Sequence, residues 1–389
     1  MNVPKIRFRD FNNDYISRKL SDISELTSSK RIYLSDYVSD GIPFYRGKEI
    51  TELKANKNVS DLLYITKEKY NEIKIKYGVP EKNDILITGV GTLGNIYRVP
   101  NDNPFYFKDG NLIWLKNIKE NSKYIEYNLE RNKRKILDSA IGSTQKALTI
   151  VGLSKLEFNF PSLNEQTKVS NFLSLIDKKI ELQSKKIEDL KLFKKGLNYK
   201  IFSSCKYEYT LKDILMEYNK RTKVNNEYEV LSSTANGIYL QSEYFNKQAA
   251  SNDTTGYKII PRGYITYRSM SDTGEFHFNI QNIVNYGIVS PAYPVFNIDE
   301  TKVNKNYLIY YMNENKNFIN TILSTKEGGT RFALSYSKLL SIKIKIPSRE
   351  EQDQFASLIS DINKKIDLEK LKLDNINSLK KGLMQNMFV

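Results

Sequence analysis

The sequence predicts an α+β protein. Two mixed α/β heads are joined by two long helices that pair as an antiparallel coiled coil, with pseudo-two-fold symmetry. Three observations predict it: a long internal repeat, a heptad seam in each copy of the repeat, and strand-rich upstream segments that have diverged from one another. Residues 142–202 align without a gap to 328–388, a constant offset of 186, and about 21 of those 61 pairs are identical. Two copies of this length are too few and too long for a solenoid, so they read as halves of one duplicated chain.

The matched pairs include Gly142/Gly328, Thr144/Thr330, Ala147/Ala333 and Leu148/Leu334. Pro161-Ser162 then meets Pro347-Ser348, and Glu165-Gln166 meets Glu351-Gln352. The match closes on Lys194-Lys195-Gly196-Leu197 and Lys380-Lys381-Gly382-Leu383. Each proline, followed by acids in the first turn, suits a helix start. Beyond it, apolar residues fall at Val169, Leu173, Ile176, Ile180, Ile187, Leu190 and Leu197, in steps of three and four that make a heptad seam. The second copy places Phe355, Ile359, Ile362, Ile366, Leu373, Ile376 and Leu383 at the same offsets. Polar residues interrupt both seams at matching positions, Gln183 with Glu369 and Lys194 with Lys380, and such interruptions fix register and partner. Two matching seams most simply pair with each other. Each helix would be on the order of 55 Å long at about 1.5 Å per residue, so an antiparallel pair would act as a ruler between heads at its two ends.

The heads keep only faint echoes of each other, such as Leu20-Ser21-Asp22-Ile23 beside Leu211-Lys212-Asp213-Ile214. In the first, residues 79–99 read as a turn, a strand from Asp84 to Thr88, a glycine loop and a strand from Asn95 to Val99. In the second, Pro261-Arg262-Gly263 reads as a turn before a strand from Tyr264 to Arg268. Residues 67–77 and 305–324 read as helices.

The chain of 389 residues can hold two or three cores, and 40% hydrophobic with 12% aromatic content suits a folded protein. Its formal charge of +15 points to a polyanion, with nucleic acid first; codon bias toward lysine is the alternative source. Residues 161–202 are net +4 and 347–389 are neutral, which leaves most of the excess in the heads and their flanks. One cysteine, Cys205, excludes an intrachain disulfide and a thiol cluster for zinc, and one histidine, His277, excludes most His-based chemistry. Residues 1–10 carry no apolar run of a signal peptide, and nothing approaches the roughly 20 apolar residues of a membrane helix, so a cytoplasmic location is expected.

Three motifs suggest enzymes and fail on context. Gly89-Val90-Gly91-Thr92-Leu93-Gly94 matches a dinucleotide fingerprint, but a strand rather than a helix follows it. It reads instead as a tight turn able to bring backbone N–H groups to phosphate. Asn103-Pro104-Phe105-Tyr106 lacks the second proline of an adenine methyltransferase motif, and Glu52-Leu53-Lys54 and Glu72-Ile73-Lys74 are expected by chance in so lysine-rich a chain.

With these residues in view, the chain resembles the specificity subunits of type I restriction–modification systems. The resemblance rests on the paired helical repeats with their Gly-x-Thr and Pro-Ser-x-x-Glu-Gln segments. It extends to Pro4-Lys5-Ile6-Arg7-Phe8 with Phe11, to residues 41–47, and to Gln241, Phe245, Lys247 and Tyr257-Lys258 in the second head. Tyr15, where the family often has tryptophan, and Arg331, facing Gln145 of the first copy, depart from the pattern. The resemblance implies target-recognition domains at 1–160 and 206–346 and spacer helices at 161–205 and 347–389. Each head would read one half of a bipartite, asymmetric double-stranded DNA target. The helices would dock two modification subunits that carry S-adenosylmethionine and methylate adenine, and restriction subunits using ATP and Mg would join them. The chain itself would hold no cofactor and catalyse nothing. A non-translocating two-headed restriction–methylation enzyme and a coiled-coil scaffold are the alternatives.

The expected DNA contacts are polar and basic residues beside the glycine turns. In the first head these are Tyr45, Arg46, Lys48, Thr92, Arg98, Gln145 and Lys146. In the second they are Arg262, Tyr267, Arg268, Ser269, Ser271, Thr330 and Arg331. Tyr45 and Tyr267 are the expected stacking residues.

Overall fold

The computed structural model describes residues 3–55, 57–244, 253–324 and 332–389, with the backbone alone at 243 and 244. Phe245, Lys247, Thr330 and Arg331 lie outside the described residues. The chain divides into two compact units, Met1–Ser184 with Leu371–Val389, and Lys185–Lys370. The two long helices, Leu163–Ser203 and Arg349–Asn386, are each shared between units, because each unit's core draws apolar side chains from both.

The strands of the first unit are β1 (Ile16–Lys19), β2 (Glu25–Thr27), β3 (Tyr37–Val38), β4 (Ile42–Tyr45), β5 (Leu63–Ile65), β6 (Ile85–Thr88), β7 (Ile96–Arg98), β8 (Tyr106–Phe107), β9 (Leu112–Lys116) and β10 (Glu157–Phe160). They form two four-stranded sheets, β2-β9-β6-β7 and β3-β5-β4-β8, and the pair β1-β10. Every residue of β6 is buried, as a central strand of Ile85, Leu86, Ile87 and Thr88 requires. The helix predicted over 67–77 is present as Lys67–Tyr77, and Thr66 caps it by accepting from the Lys69 N–H.

The second unit follows the same plan with β11 (Tyr207–Thr210), β12 (Leu215–Glu217), β13 (Glu229–Thr234), β14 (Gly237–Leu240), β15 (Lys258–Pro261), β16 (Ile265–Thr266), β17 (Met270–Ser271), β18 (Asn279–Ile280), β19 (Tyr286–Val289), β20 (Val295–Ile298), β21 (Phe332–Ala333) and β22 (Lys343–Ile346). Its sheets are β12-β20-β16-β18 and β14-β13-β19-β15, with pairs β11-β22 and β17-β21. The strand expected over 264–268 is only Ile265–Thr266. The helix expected over 305–324 breaks into Lys305–Glu314 and Lys316–Ser324. Buried Asn315 causes the break: its side chain accepts the Phe318 N–H at 3.0 Å and starts the second segment.

Equivalent contacts show why the repeat keeps its Pro-Ser-x-x-Glu-Gln segment. Gln166 Nε2 donates to the Pro161 carbonyl (2.9 Å), and its Oε1 accepts from the Asn121 N–H (3.1 Å). Gln352 repeats this with the Pro347 carbonyl (2.9 Å) and the Asn304 N–H (2.9 Å). Asn121 and Asn304 each cap a helix in turn, accepting the N–H of Tyr124 and Tyr307 at 2.9 Å. Both glutamines are buried, and each satisfies a buried proline carbonyl and a partly buried asparagine N–H. The adjacent glutamate has diverged: Glu165 accepts two hydrogen bonds from Arg7, both 2.8 Å, and one from the Tyr15 hydroxyl, whereas Glu351 accepts from Ser348. The faint head echo is structural as well, since the Leu20 N–H donates to the Leu156 carbonyl (3.0 Å) and the Leu211 N–H to the Ile342 carbonyl (2.9 Å).

The core of the first unit joins Leu20, Ile23, Ile85, Leu115 and Tyr124 to Val169, Leu173 and Ile176 of one long helix. Met387 and Phe388, beyond the other helix, are buried in the same core, with Ile180, Ile376 and Leu383 partly buried against it. The core of the second unit joins Leu211, Ile265, Phe296 and Tyr307 to Phe355 and Ile359, with Leu197 packed alongside. Ile187, Ile362 and Ile366 are buried, and Leu190 and Leu373 are half-buried. Within the second unit the helix segments run antiparallel: the Phe202 ring lies 6.2 Å from Phe355, and Lys186 Nζ lies 3.0 Å from Glu369. Within the first, Lys380 bonds Asp177 at 2.5 Å, while Phe388 sits 5.1 Å from Tyr124 beside the first helix's start. The polar seam positions are used in each unit. Lys380 also lies 5.8 Å from the Tyr127 ring, and Lys194 lies 5.2 Å from the Tyr310 ring. No helix among the described residues is long and apolar enough to cross a membrane.

Candidate nucleic-acid interface

In the first unit three limbs converge beyond the end of β6. The first is the glycine loop. Thr88 staples its base, donating its hydroxyl to the Thr92 carbonyl and accepting the Asn95 N–H at 2.9 Å. The Gly89 carbonyl accepts the Leu148 N–H at 2.9 Å, and a Cβ on Gly89 would lie only 3.3 Å from the Leu148 carbonyl, so backbone approach is close here. Thr92 is exposed at the tip, and strand β7 follows the loop.

The second limb is the loop 142–146, closed by reciprocal 2.9 Å hydrogen bonds between Ile141 and Ala147. Gly142 has φ +113°, and a Cβ there would collide with the Gln145 carbonyl. Gln145 and Lys146 are exposed on this loop. The third limb is the start of the helix Gly47–Lys54, tied to the first by Asn95 Nδ2 donating to Thr51 Oγ1 at 2.8 Å. Lys48 is exposed there, with Asp61 at 3.4 Å. Tyr45 is half-buried against Phe105, ring centroids 4.9 Å apart, and burial pushes its hydroxyl pKa up.

Arg46, one of the expected contacts, is paired within the fold. Its guanidinium is committed to fully buried Glu49, with Nη2 at 2.5 Å from Oε1. Burial pushes the Glu49 carboxyl up, but the Arg46 side chain and backbone N–H bonds outweigh it and hold the group below the usual carboxylate range. Arg98, also expected as a contact, is paired as well. It sits opposite Ile85, at the end of β7 away from the glycine loop, with Nε 3.0 Å from Glu126 and Nη1 2.8 Å from Asn83. One cation that the sequence reading missed does adjoin the loop: Lys133 Nζ donates to Asn95 Oδ1 at 3.3 Å; the next residue, Arg134, is almost fully exposed, with Asp138 at 3.9 Å. The Lys133-Arg134-Lys135 run was the available signal.

The second unit builds an equivalent loop from unrelated residues. The Leu334 N–H donates to the Ser269 carbonyl at 2.9 Å, as the Leu148 N–H does to Gly89. Residues 269–274 therefore occupy the place of 89–94, and β17-β21 pairs them with the segment matching 146–147. Ser271 is turned inward, accepting the Gly274 N–H at 3.0 Å, while Arg268 is exposed.

Tyr267 cannot stack on DNA as expected. It is fully buried, its ring 4.8 Å from Phe278 and its hydroxyl donating to the Leu334 carbonyl at 3.1 Å. Its role is to hold the loop's supporting strand. Arg262 belongs to a turn at the other end of β16, where it donates to the Asn282 carbonyl (2.6 Å) and the Ile283 carbonyl (3.1 Å). These contacts fold the turn and are internal.

Two mixed α/β units, each presenting a differently sequenced loop from the same position on a duplicated helical frame, define a protein with two recognition domains. The chain belongs to the family described as the type I restriction modification DNA specificity domain, which matches it twice, at residues 12–192 and 206–378. A protein of Haemophilus influenzae named as a type I restriction enzyme specificity subunit is 31% identical over 167 residues, 41% of this chain and 39% of that protein. The MjaX specificity subunit of Methanocaldococcus jannaschii, named for a type I restriction enzyme, is 23% identical over 98% of this chain and 95% of its own length. Among solved structures, the type I restriction-modification S subunit from M. genitalium matches with TM-score 0.59 at 18% identity, covering 100% of this chain and 99% of the other. A chain from a study of assembly and conformational transition in the type I system matches with TM-score 0.53 at 14% identity, covering 96% of each. The chain is thus a type I restriction–modification specificity subunit with two recognition domains.

Proposed function

We propose that each unit reads one half of a bipartite, asymmetric DNA target, that the paired helices set the gap, and that they dock two modification subunits which methylate adenine. The observation that carries this reading is the shared backbone hydrogen bond, Leu148 to Gly89 in one unit and Leu334 to Ser269 in the other. One scaffold position presents Gly89–Gly94 in the first case and Ser269–Gly274 in the second, which is what two readers of different half-sites need. Phosphate contacts fall to Lys146, Lys133, Arg134 and Lys48 in the first unit and to Arg268 in the second; Thr92, Gln145 and Ser269 face the bases.

The chain supplies no chemistry in this account. S-adenosylmethionine, ATP and Mg act on the partner subunits, with restriction subunits joining the same cytoplasmic complex. The helices offer apolar side chains outside their seam for docking: Leu175, Leu182 and Leu379 are more than half exposed in the first unit, and Leu192, Phe193 and Leu368 in the second. A methyladenine map of the host with and without this gene tests the reading. Loss of one split motif supports it; survival of every motif in a strain expressing the gene beside its modification partner overturns it.

A further inference from the structure

A second basic feature of the first unit lies away from the loops. A cavity of about 280 Å³ opens beside β9, and three lysines, Lys30, Lys76 and Lys116, line it together with Ser28, Tyr77 and Trp114. No carboxylate is among its lining residues. Two of the amines are placed over aromatic rings: Lys30 Nζ lies 4.8 Å from the Tyr77 centroid, and Lys116 Nζ lies 5.1 Å from the Trp114 centroid. A ring orients an ammonium without neutralising it. The acids that pair with two of these lysines, Glu72 with Lys76 and Glu25 with Lys116, both at 3.1 Å, have side chains about half exposed. Exposed pairs of this kind are weak and yield to a better anion.

Three ammonium groups and a hydroxyl around a small acid-free cavity fit a phosphate group, for which lysine serves as a point-charge ligand. None of the cavity's lining residues belongs to the reading loops. Lys116 pairs with Glu25 across the sheet and follows Leu115, which faces Ile85. The glycine loop leaves the opposite end of β6, so Lys116 stands roughly 17 Å from it along the strand direction at about 3.4 Å per residue. We infer that this cavity is a phosphate-binding site, occupied either by a small phosphorylated molecule or by a backbone phosphate of nucleic acid.

Trp114 is the only tryptophan in the chain, so its fluorescence reports on this cavity directly. The full chain is titrated at constant ionic strength with inorganic phosphate, adenosine monophosphate, adenosine and duplex DNA. A saturable change is expected with a phosphate-bearing ligand and none with adenosine. The affinity should fall at least about tenfold in the double variant Lys30→Ala, Lys76→Ala. Both side chains are solvent-accessible, and an unchanged thermal melt confirms that the variant folds. A response to the nucleotide or inorganic phosphate assigns a small-molecule source, and a response to DNA alone assigns the backbone. No saturable change by about 10 mM in any phosphate arm, or equal affinity in the double variant, overturns the inference. The outcome does not depend on whether the loops read DNA.

Discussion

Replacing Gln352 with alanine should loosen the second unit at one identifiable place. The side chain is 1% exposed and bridges two backbone groups, donating to the Pro347 carbonyl and accepting the Asn304 N–H, both at 2.9 Å. Truncation strands both. At about 1–3 kcal/mol for each buried group left unpaired, and less for the partly hydrated Asn304 N–H, the loss comes to about 2–4 kcal/mol. Asn304 caps the helix Lys305–Glu314, so the loss should appear first as opening of that helix start. Hydrogen exchange read by mass spectrometry on the full chain should show amides in 304–314 exchanging roughly 30- to 1,000-fold faster, with 121–131 unaffected. Gln166→Ala should reverse the pattern, because Gln166 makes the same bridge to Asn121. Unchanged protection in 304–314, or equal loss in both segments, would refute the claim that each glutamine pins its own head.

Tyr267→Phe should lower stability by about 1 kcal/mol through loss of the bond to Leu334, while the methylated motif stays the same; a shifted motif would return Tyr267 to the interface. Glu49 has a folded pKa below its ordinary 4.5, so its stabilising contribution is complete above that value and lost as pH falls through the folded value. Glu49→Gln should therefore flatten part of the acid-side decline in a urea-melt series, and an unchanged decline would contradict the pairing with Arg46. Lys146→Ala and Arg134→Ala should each weaken binding to all sequences alike and reduce the slope of log affinity against log salt by about 0.9. Weakening confined to one target position would show base reading instead.

The duplicated frame was legible because a heptad seam and its polar interruptions recur at the same offsets, and both long helices start where Pro161 and Pro347 announce them. Helical periodicity gives the buried face but not what covers it. The placement of Met387 and Phe388 in the core of the first unit depends on residues more than two hundred positions away. Loop chemistry was half legible. Glycine spacing marked 89–94, but 269–274 shares its place only through a backbone bond, which leaves no trace in side-chain identity. The pairing of two expected cations was not legible. Arg46 and Arg98 look free in sequence, whereas Glu49 and Glu126 claim them in the fold. Tyr267 follows a strand too short for alternation to show that it points inward.

The central claim is that the two units read separate halves of one target, and the most direct test maps methyladenine in strains carrying loop variants of either unit. With the modification partner present, Thr92→Ala with Gln145→Ala should relax or change bases in one half of the split motif only. Ser269→Ala should affect only the other half, and the gap should stay fixed in both strains. Changes in both halves from either variant, or a motif untouched by both, would contradict the account.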